Sequence, residues 1–303
     1  IDHLVGAQRD NDAADKEAAR DIAPGVQTGF AQHDGAVVDT WLERAAIELA
    51  LVSAARLPAA VPDGAIRHAA LPLNALGAPR TVFCFHPGHG MIGDYRTLAK
   101  SLNGAATLIA IQSPFIQRAD CDAGLDVDSI ESLALEYASC IKSIQPYGPY
   151  SLLGWSLGGR VAVAVAHALS QAGERCDFIG IVDTATHWLA DTADPTLSEG
   201  KTAAQIPFDA FPADAARAAL IRAALRADTL HTAWMARHAL PVLDTPLHVW
   251  RATRNDADPL RRMEWARHTS AGVHDYAIDA THAGIVHHPS LQKTLAQWLA
   301  ETR

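Results

Sequence analysis

With 303 residues, 49% of them hydrophobic and 19% charged, the chain is long enough to bury a large core and has the composition of an ordinary globular protein. Its formal net charge of −9 and the lack of any basic cluster exclude a nucleic-acid partner held by bulk electrostatics. The polar, acidic start IDHLVGAQRDNDAADKEAARD and the absence of a run of about 18 uninterrupted apolar residues predict neither a signal peptide nor a membrane span, so a cytoplasmic protein without a membrane partner is expected.

Residues 1 to about 33 mix Asp, Asn, Lys, Arg, Gln and Gly with few large apolar side chains, which predicts a linker or partly ordered tail. Apolar residues then recur at helical spacing from Asp39 to Leu57, until Pro58 and Pro62 stop the pattern. A docking helix without chemistry is the expectation for 39–57, inside a linker region of 1–70. Strand patterns follow. Ile66 to Leu73 reads as an edge strand, and Thr81-Val82-Phe83-Cys84-Phe85 as a strand buried on both faces. It runs into His86-Pro87-Gly88-His89-Gly90, a glycine-rich turn at a strand's carboxyl end, where open α/β sheets bind ligands. Gly88 is the candidate there for an oxyanion N–H, because its bare backbone lets a substrate oxygen approach. His86 and His89 are read as turn residues rather than bases or metal ligands.

Tyr95 to Leu102 predicts a helix, Thr107 to Ile111 a strand, and Val127 to Ile144 a long amphipathic helix. Next comes GPYSLLGWSLGGRVAVAVAHAL, residues 148–169. It reads as a short strand, a turn on Gly154-Trp155-Ser156-Leu157-Gly158, and a helix rich in Ala and Val. That is the pattern of a nucleophile elbow, in which a serine on a tight strand-to-helix turn has its hydroxyl exposed. The following helix aims its first N–H groups at that hydroxyl, and Leu157 N–H is the second oxyanion candidate. A glycine-rich turn with a solvent-facing serine is the plain alternative.

Phe178 to Val182 is a further buried strand that ends in Asp183. A carboxylate at the end of an apolar strand needs a partner, because an unpaired buried charge is costly. Residues 187 to about 240 break the strand and helix rhythm and predict a helical lid, with Trp188, Trp234 and Met235 as candidates to line an acyl pocket. The core resumes at Leu247 to Ala252, followed by Asp256 and Asp258. Tyr276 to Ile278 is the last strand, and Leu291 to Glu301 the closing helix. His282 lies between these two elements, and His287 and His288 are its rivals. The four cysteines, Cys84, Cys121, Cys140 and Cys176, show no CxxC spacing and are expected reduced, with no metal site.

Regular alternation of strand and helix implies a mainly parallel sheet with helices on both faces. Serine needs an imidazole to take its proton, and the imidazole needs an acid to orient it. The chain order Ser156, Asp183, His282 supplies all three in the order of an α/β-hydrolase. Most such enzymes carry the acid one strand later, which nominates Asp256 or Asp258.

Five ordered blocks, FCFHPGHG around 84, LIAIQSP at 108–114, GPYSLLGWSLGG at 148–159, FIGIVDT at 178–184 and THAGIVHHP at 281–289, resemble the terminal thioesterase domain of nonribosomal peptide synthetases. The resemblance spans roughly 71–303. It implies an α/β-hydrolase fold, Asp183 as the acid beside Ser156 and His282, and Gly88 and Leu157 N–H as the oxyanion hole. It also implies a substrate carried as a thioester on the phosphopantetheine of an upstream carrier domain, with no cofactor bound in this domain. Release by hydrolysis or macrocyclisation is expected, and a freestanding editing thioesterase or small-molecule serine esterase is the alternative. No Gly-Gly-His-Ser-type attachment motif occurs in residues 1–70, and IDHLVGAQ is a candidate for the last helix of such a carrier.

Overall fold

The computed structural model describes residues 31–54, 70–117, 127–187, 215–255 and 264–301. Trp188, Cys121, Asp256 and Asp258 lie outside the described residues. Val37–Arg303 form one compact unit; of Ile1–Ala36 only the helical residues 31–36 are described.

Helix α1 spans Ala31–Ala54 and so begins before the Asp39 expected from periodicity. Gly35 lies inside it, at a cost of about 1 kcal/mol relative to alanine. Leu42, Ala45 and Leu49 pack with Met91, Ile116, Leu220 and Ile221, giving the helix an apolar seat.

Seven strands form one sheet among the described residues: β1 (Ala70–Pro72), β2 (Thr81–Phe85), β3 (Thr107–Ile111), β4 (Tyr150–Trp155), β5 (Cys176–Val182), β6 (Leu247–Ala252) and β7 (Val273–Ile278). Their spatial order is β1-β3-β2-β4-β5-β6-β7. β1 pairs antiparallel with β3, and every other pair is parallel. Pro72 sits in the edge strand, the place where a missing N–H is tolerated. β5 begins at Cys176, two residues before the apolar run, and β7 at Val273, three residues before Tyr276. The extra residues are only partly buried, or exposed as in His274 and Asp275, so they carry no continuous apolar signal.

Both faces of the sheet are covered, as the strand and helix alternation predicts. On one side α4 (Ile130–Ile144) and α5 (Leu157–Gln171) pack on Phe83, Leu152, Ile179 and Val249. On the other, α2 (Arg96–Ser101) and α7 (Pro289–Glu301) pack on Val82, Cys84, Leu153 and Trp250. α4 starts at Ile130, three residues after the expected Val127, because Ser129 caps it: its hydroxyl accepts from Ser132 N–H at 3.2 Å while Ser132 Oγ accepts from Ser129 N–H at 3.1 Å. A short helix α3 (Pro114–Gln117) follows β3. Between β5 and β6, the expected helical insertion contains α6 (Ala215–Arg237), whose Leu220, Ile221 and Leu225 share the apolar cluster of α1. Cys84, Cys140 and Cys176 are free thiols.

Register brings the strand ends together. Phe85 pairs with Gly154, Trp155 with Val182, and Val182 with Trp250. The residues that follow β2, β4 and β5 therefore emerge side by side at the carboxyl edge.

Candidate active site

The strand β4 passes into α5 through Ser156, whose φ of 58° and ψ of −128° place a non-glycine residue in a costly backbone region. Close packing forces this turn. A Cβ on Gly154 would collide with the Gly158 carbonyl oxygen, and one on Gly158 with the carbonyl oxygen of Phe85. The turn is held by Ser156 N–H donating to the Val182 carbonyl at 3.0 Å and by Thr184 Oγ1 donating to the Ser156 carbonyl at 2.6 Å. Glycine at both positions lets the helix press onto the strand ends, and the strained serine presents its hydroxyl at the edge.

Asp183, one residue past β5, is fully buried and also has a positive φ, 47°. Its N–H donates to the Trp250 carbonyl at 2.7 Å, and its Oδ1 accepts from Ala252 N–H at 3.0 Å. Oδ2 lies 2.6 Å from His282 Nδ1, and His282 Nε2 lies 3.0 Å from Ser156 Oγ. With the carboxylate ionised, Nδ1 carries the proton and donates to it, which leaves Nε2 as the acceptor for the serine hydroxyl. Three groups spread over 126 residues of chain therefore form one hydrogen-bonded line.

The rival histidines are engaged elsewhere. His287 Nε2 is 3.9 Å from Asp94 Oδ1, and His288 Nδ1 accepts from Ser290 N–H at 3.2 Å. His86, read as a turn residue, has Nδ1 2.7 Å from the Pro87 carbonyl and Nε2 2.6 Å from Tyr137 Oη of α4. His89 Nδ1 accepts from Met91 N–H at 3.2 Å within the turn, and its Nε2 lies 3.4 Å from Asp94 Oδ2.

Four residues around the edge carry no local sequence signal. Tyr95 Oη donates to the Phe85 carbonyl at 2.7 Å and accepts from Trp155 N–H at 2.8 Å, joining the ends of β2 and β4. Trp155 Nε1 donates to the His282 carbonyl at 3.0 Å. From α6, His231 Nδ1 meets the Gly88 carbonyl at 2.6 Å, and Asp228 lies against the bare α-carbon of Gly88, where a Cβ would collide with its Oδ1. Burial pushes His231 down to about 4 and raises the Asp228 carboxyl. A neutral His231 donates its Nδ1 proton to Gly88, which ties α6 to the turn after β2. Trp234 and Met235 are buried in the same cluster as Leu157 and Phe115. Among the described residues no group of three or more His, Cys, Asp or Glu is placed to hold a metal ion, and no helix is long and apolar enough to cross a membrane.

A family model described as Thioesterase domain matches residues 80–299. Malpibaldin synthetase of Mortierella alpina is 36% identical over 118 residues, covering 37% of this chain and 2% of that protein. Enterobactin synthase component F of Escherichia coli (strain K12) is 35% identical over 114 residues, covering 38% of this chain and 8% of that protein. The chain therefore spans a small fraction of the length of these curated relatives. Among solved structures, holo-AB3403, a four-domain nonribosomal peptide synthetase bound to AMP and glycine, superposes with a TM-score of 0.64 at 22% identity, covering 77% of this chain and 20% of that one. That last likeness is one of fold.

Proposed function

The chain belongs to the thioesterase family, a family of hydrolases, and from that premise we propose that it releases a peptidyl or acyl chain held as a thioester on the phosphopantetheine arm of a carrier domain. The line of hydrogen bonds from Asp183 through His282 to Ser156 carries this reading. Its carrier partner is inferred from the relatives, which are large synthetases and synthases of which this chain matches one part.

In the proposed reaction Ser156 Oγ attacks the thioester carbonyl carbon as His282 Nε2 takes the hydroxyl proton. The negative charge that moves onto the carbonyl oxygen is met by the N–H groups of Leu157, first residue of α5, and of Gly88, in the turn after β2. Collapse breaks the C–S bond, and the imidazolium returns its proton to the departing thiolate. Water, or a hydroxyl or amine of the same acyl chain, then attacks the Ser156 ester with His282 as base, the C–Oγ bond breaks, and the imidazolium returns the proton to Ser156 Oγ. Asp183 keeps the imidazole in the productive tautomer and stabilises its positive state.

Mass measurement after incubation with a fluorophosphonate, together with turnover of an acyl N-acetylcysteamine thioester, tests the proposal. The parent should gain one adduct on Ser156 and hydrolyse the thioester, and Ser156→Ala should do neither. A parent that is unlabelled and inactive on a panel of acyl thioesters would end it.

A further inference from the structure

Helix α1 precedes the residues matched by the family model, and sequence reasoning gave it no chemistry. Its apolar seat nevertheless contains a carboxylate. Glu48 is buried at 1% exposure, in phase with Ala45 and Leu49. Glu48 Oε2 accepts from Ile92 N–H at 3.0 Å and from Gly93 N–H at 2.9 Å, Oε1 accepts from Ile92 N–H at 3.1 Å, and Gln112 Nε2 donates to Oε1. These amides open the 3-10 turn Gly93–Tyr95 that leads into α2. They are the N–H groups a helix start leaves without an internal partner, so a side chain from another helix caps this one.

The capped turn ends in Tyr95, whose phenol spans the Phe85 carbonyl and the Trp155 N–H. Phe85 is the last residue before the turn that carries Gly88, and Trp155 is the last before Ser156. Helix α1 also approaches the turn closely, since a Cβ on Gly93 would lie 2.7 Å from Ile47 Cγ2. Beside the carboxylate, Asp94 is bracketed by Arg44 of α1 at 3.7 Å, His89 at 3.4 Å and His287 at 3.9 Å. The same short segment therefore touches α1, the turn after β2 and the segment after His282.

We propose that Glu48 is a positioning residue for the thioester-cleaving site: by fixing the Ile92–Gly93 amides it sets Tyr95, and through Tyr95 the spacing between the Gly88 turn and the Ser156 elbow. The inference rests on the function proposed above for Ser156 and Gly88. Burial raises the Glu48 carboxyl to about 7, against the opposing pull of the bonds from Gln112, Ile92 and Gly93 and with a further rise from Asp94. Keeping such a group in an apolar seat works against stability, and a cap made only for stability needs no charge. A spacing error between nucleophile and oxyanion donors acts on the transition state more than on substrate binding.

The test compares Glu48→Ala, Glu48→Gln and Gly93→Ala with the parent, with kinetics normalised to sites titratable by fluorophosphonate and with amide hydrogen exchange followed over residues 85–96 and 153–157. Glu48→Ala should lower kcat about tenfold with KM within about twofold, the pattern of a lost transition-state interaction, and should speed exchange in both segments. Glu48→Gln retains an acceptor oxygen and should fall between Ala and parent, which keeps the proposal testable if the alanine variant does not fold. Gly93→Ala, whose methyl group would lie 2.7 Å from Ile47 Cγ2 and 3.3 Å from Glu48 Oε2, crowds the same contact from the other side and should reproduce the loss. A parent-like kcat per titrated site in Glu48→Ala, even with a lower melting temperature, or unchanged exchange over 153–157, overturns the proposal. A parent that cleaves no thioester defeats the functional reading instead, and the exchange data still decide the coupling.

Discussion

Trp155 holds His282 by the backbone: its indole N–H donates to the His282 carbonyl at 3.0 Å, and the two rings lie 5.4 Å apart at a tilt of 35°. The residue before the proposed nucleophile thus fixes the loop that carries the proposed base. Trp155→Phe keeps the ring and removes the donor. One net hydrogen bond of about 1 kcal/mol corresponds to about a fivefold loss, which should appear in kcat on an acyl thioester with KM unchanged.

Asp183→Asn should lower kcat by about 10³ to 10⁴ while leaving the fold intact, because an amide in place of the carboxylate favours the wrong imidazole tautomer. Steady-state kinetics with circular dichroism as the control reads this. Asp256→Asn and Asp258→Asn should retain parent-like turnover, and loss of activity there with a fully active Asp183→Asn would reassign the acid.

Gly158→Ala puts a methyl group against the carbonyl oxygens of Phe85 and His86. Both are backbone atoms at strand β2's end, and neither can rotate away. The variant should lose about 3 kcal/mol or more of stability, seen as a lower midpoint in urea unfolding, together with loss of fluorophosphonate labelling.

His248, 5% exposed on β6, is pushed down to about 4 by burial and by the neighbouring His274. Its folded value lies below the ordinary 6.5, so the neutral ring's contribution is complete above pH 6.5 and is lost as pH falls through 4. The shift corresponds to up to about 3 kcal/mol. His248→Phe, which suits the surrounding rings of Phe178, Trp250 and Tyr276, should gain on the parent in melting temperature from pH 7 down to 4.5. Buried His231 shifts in the same direction, so the acid-side loss should shrink without vanishing. Equal slopes in parent and variant would refute the assignment.

What could be read from sequence and what could not divides along chain distance. Ser156, Asp183 and His282 each stand where a short apolar strand or its loop ends, so local pattern marks them even before their partners are known. Leu157 is marked in the same way by opening the helix after the elbow. Glu48 and His231 act on backbone 44 and 143 residues away, and Tyr95 reaches Trp155 across 60 residues, so no short window of sequence contains both partners. Glu48 did leave one trace, a carboxylate in phase with Leu42, Ala45 and Leu49, which reads as an ordinary surface residue until the stripe is known to be buried. The start of α4 was displaced for a related reason: a serine pair, Ser129 and Ser132, fixes it, and hydrophobic periodicity does not see caps.

The carboxylate that meets His282 leaves β5, the immediate neighbour of the serine's strand, and β6 supplies it with a main-chain N–H from Ala252. A peptide amide is offered by every amino acid except proline. That bond is therefore indifferent to the side chain at Ala252, which burial constrains for packing alone, while substitutions at the tip of β5 fall directly on the proposed chemistry. Among homologues, small apolar exchanges should be tolerated at the former and no exchange of the carboxylate at the latter.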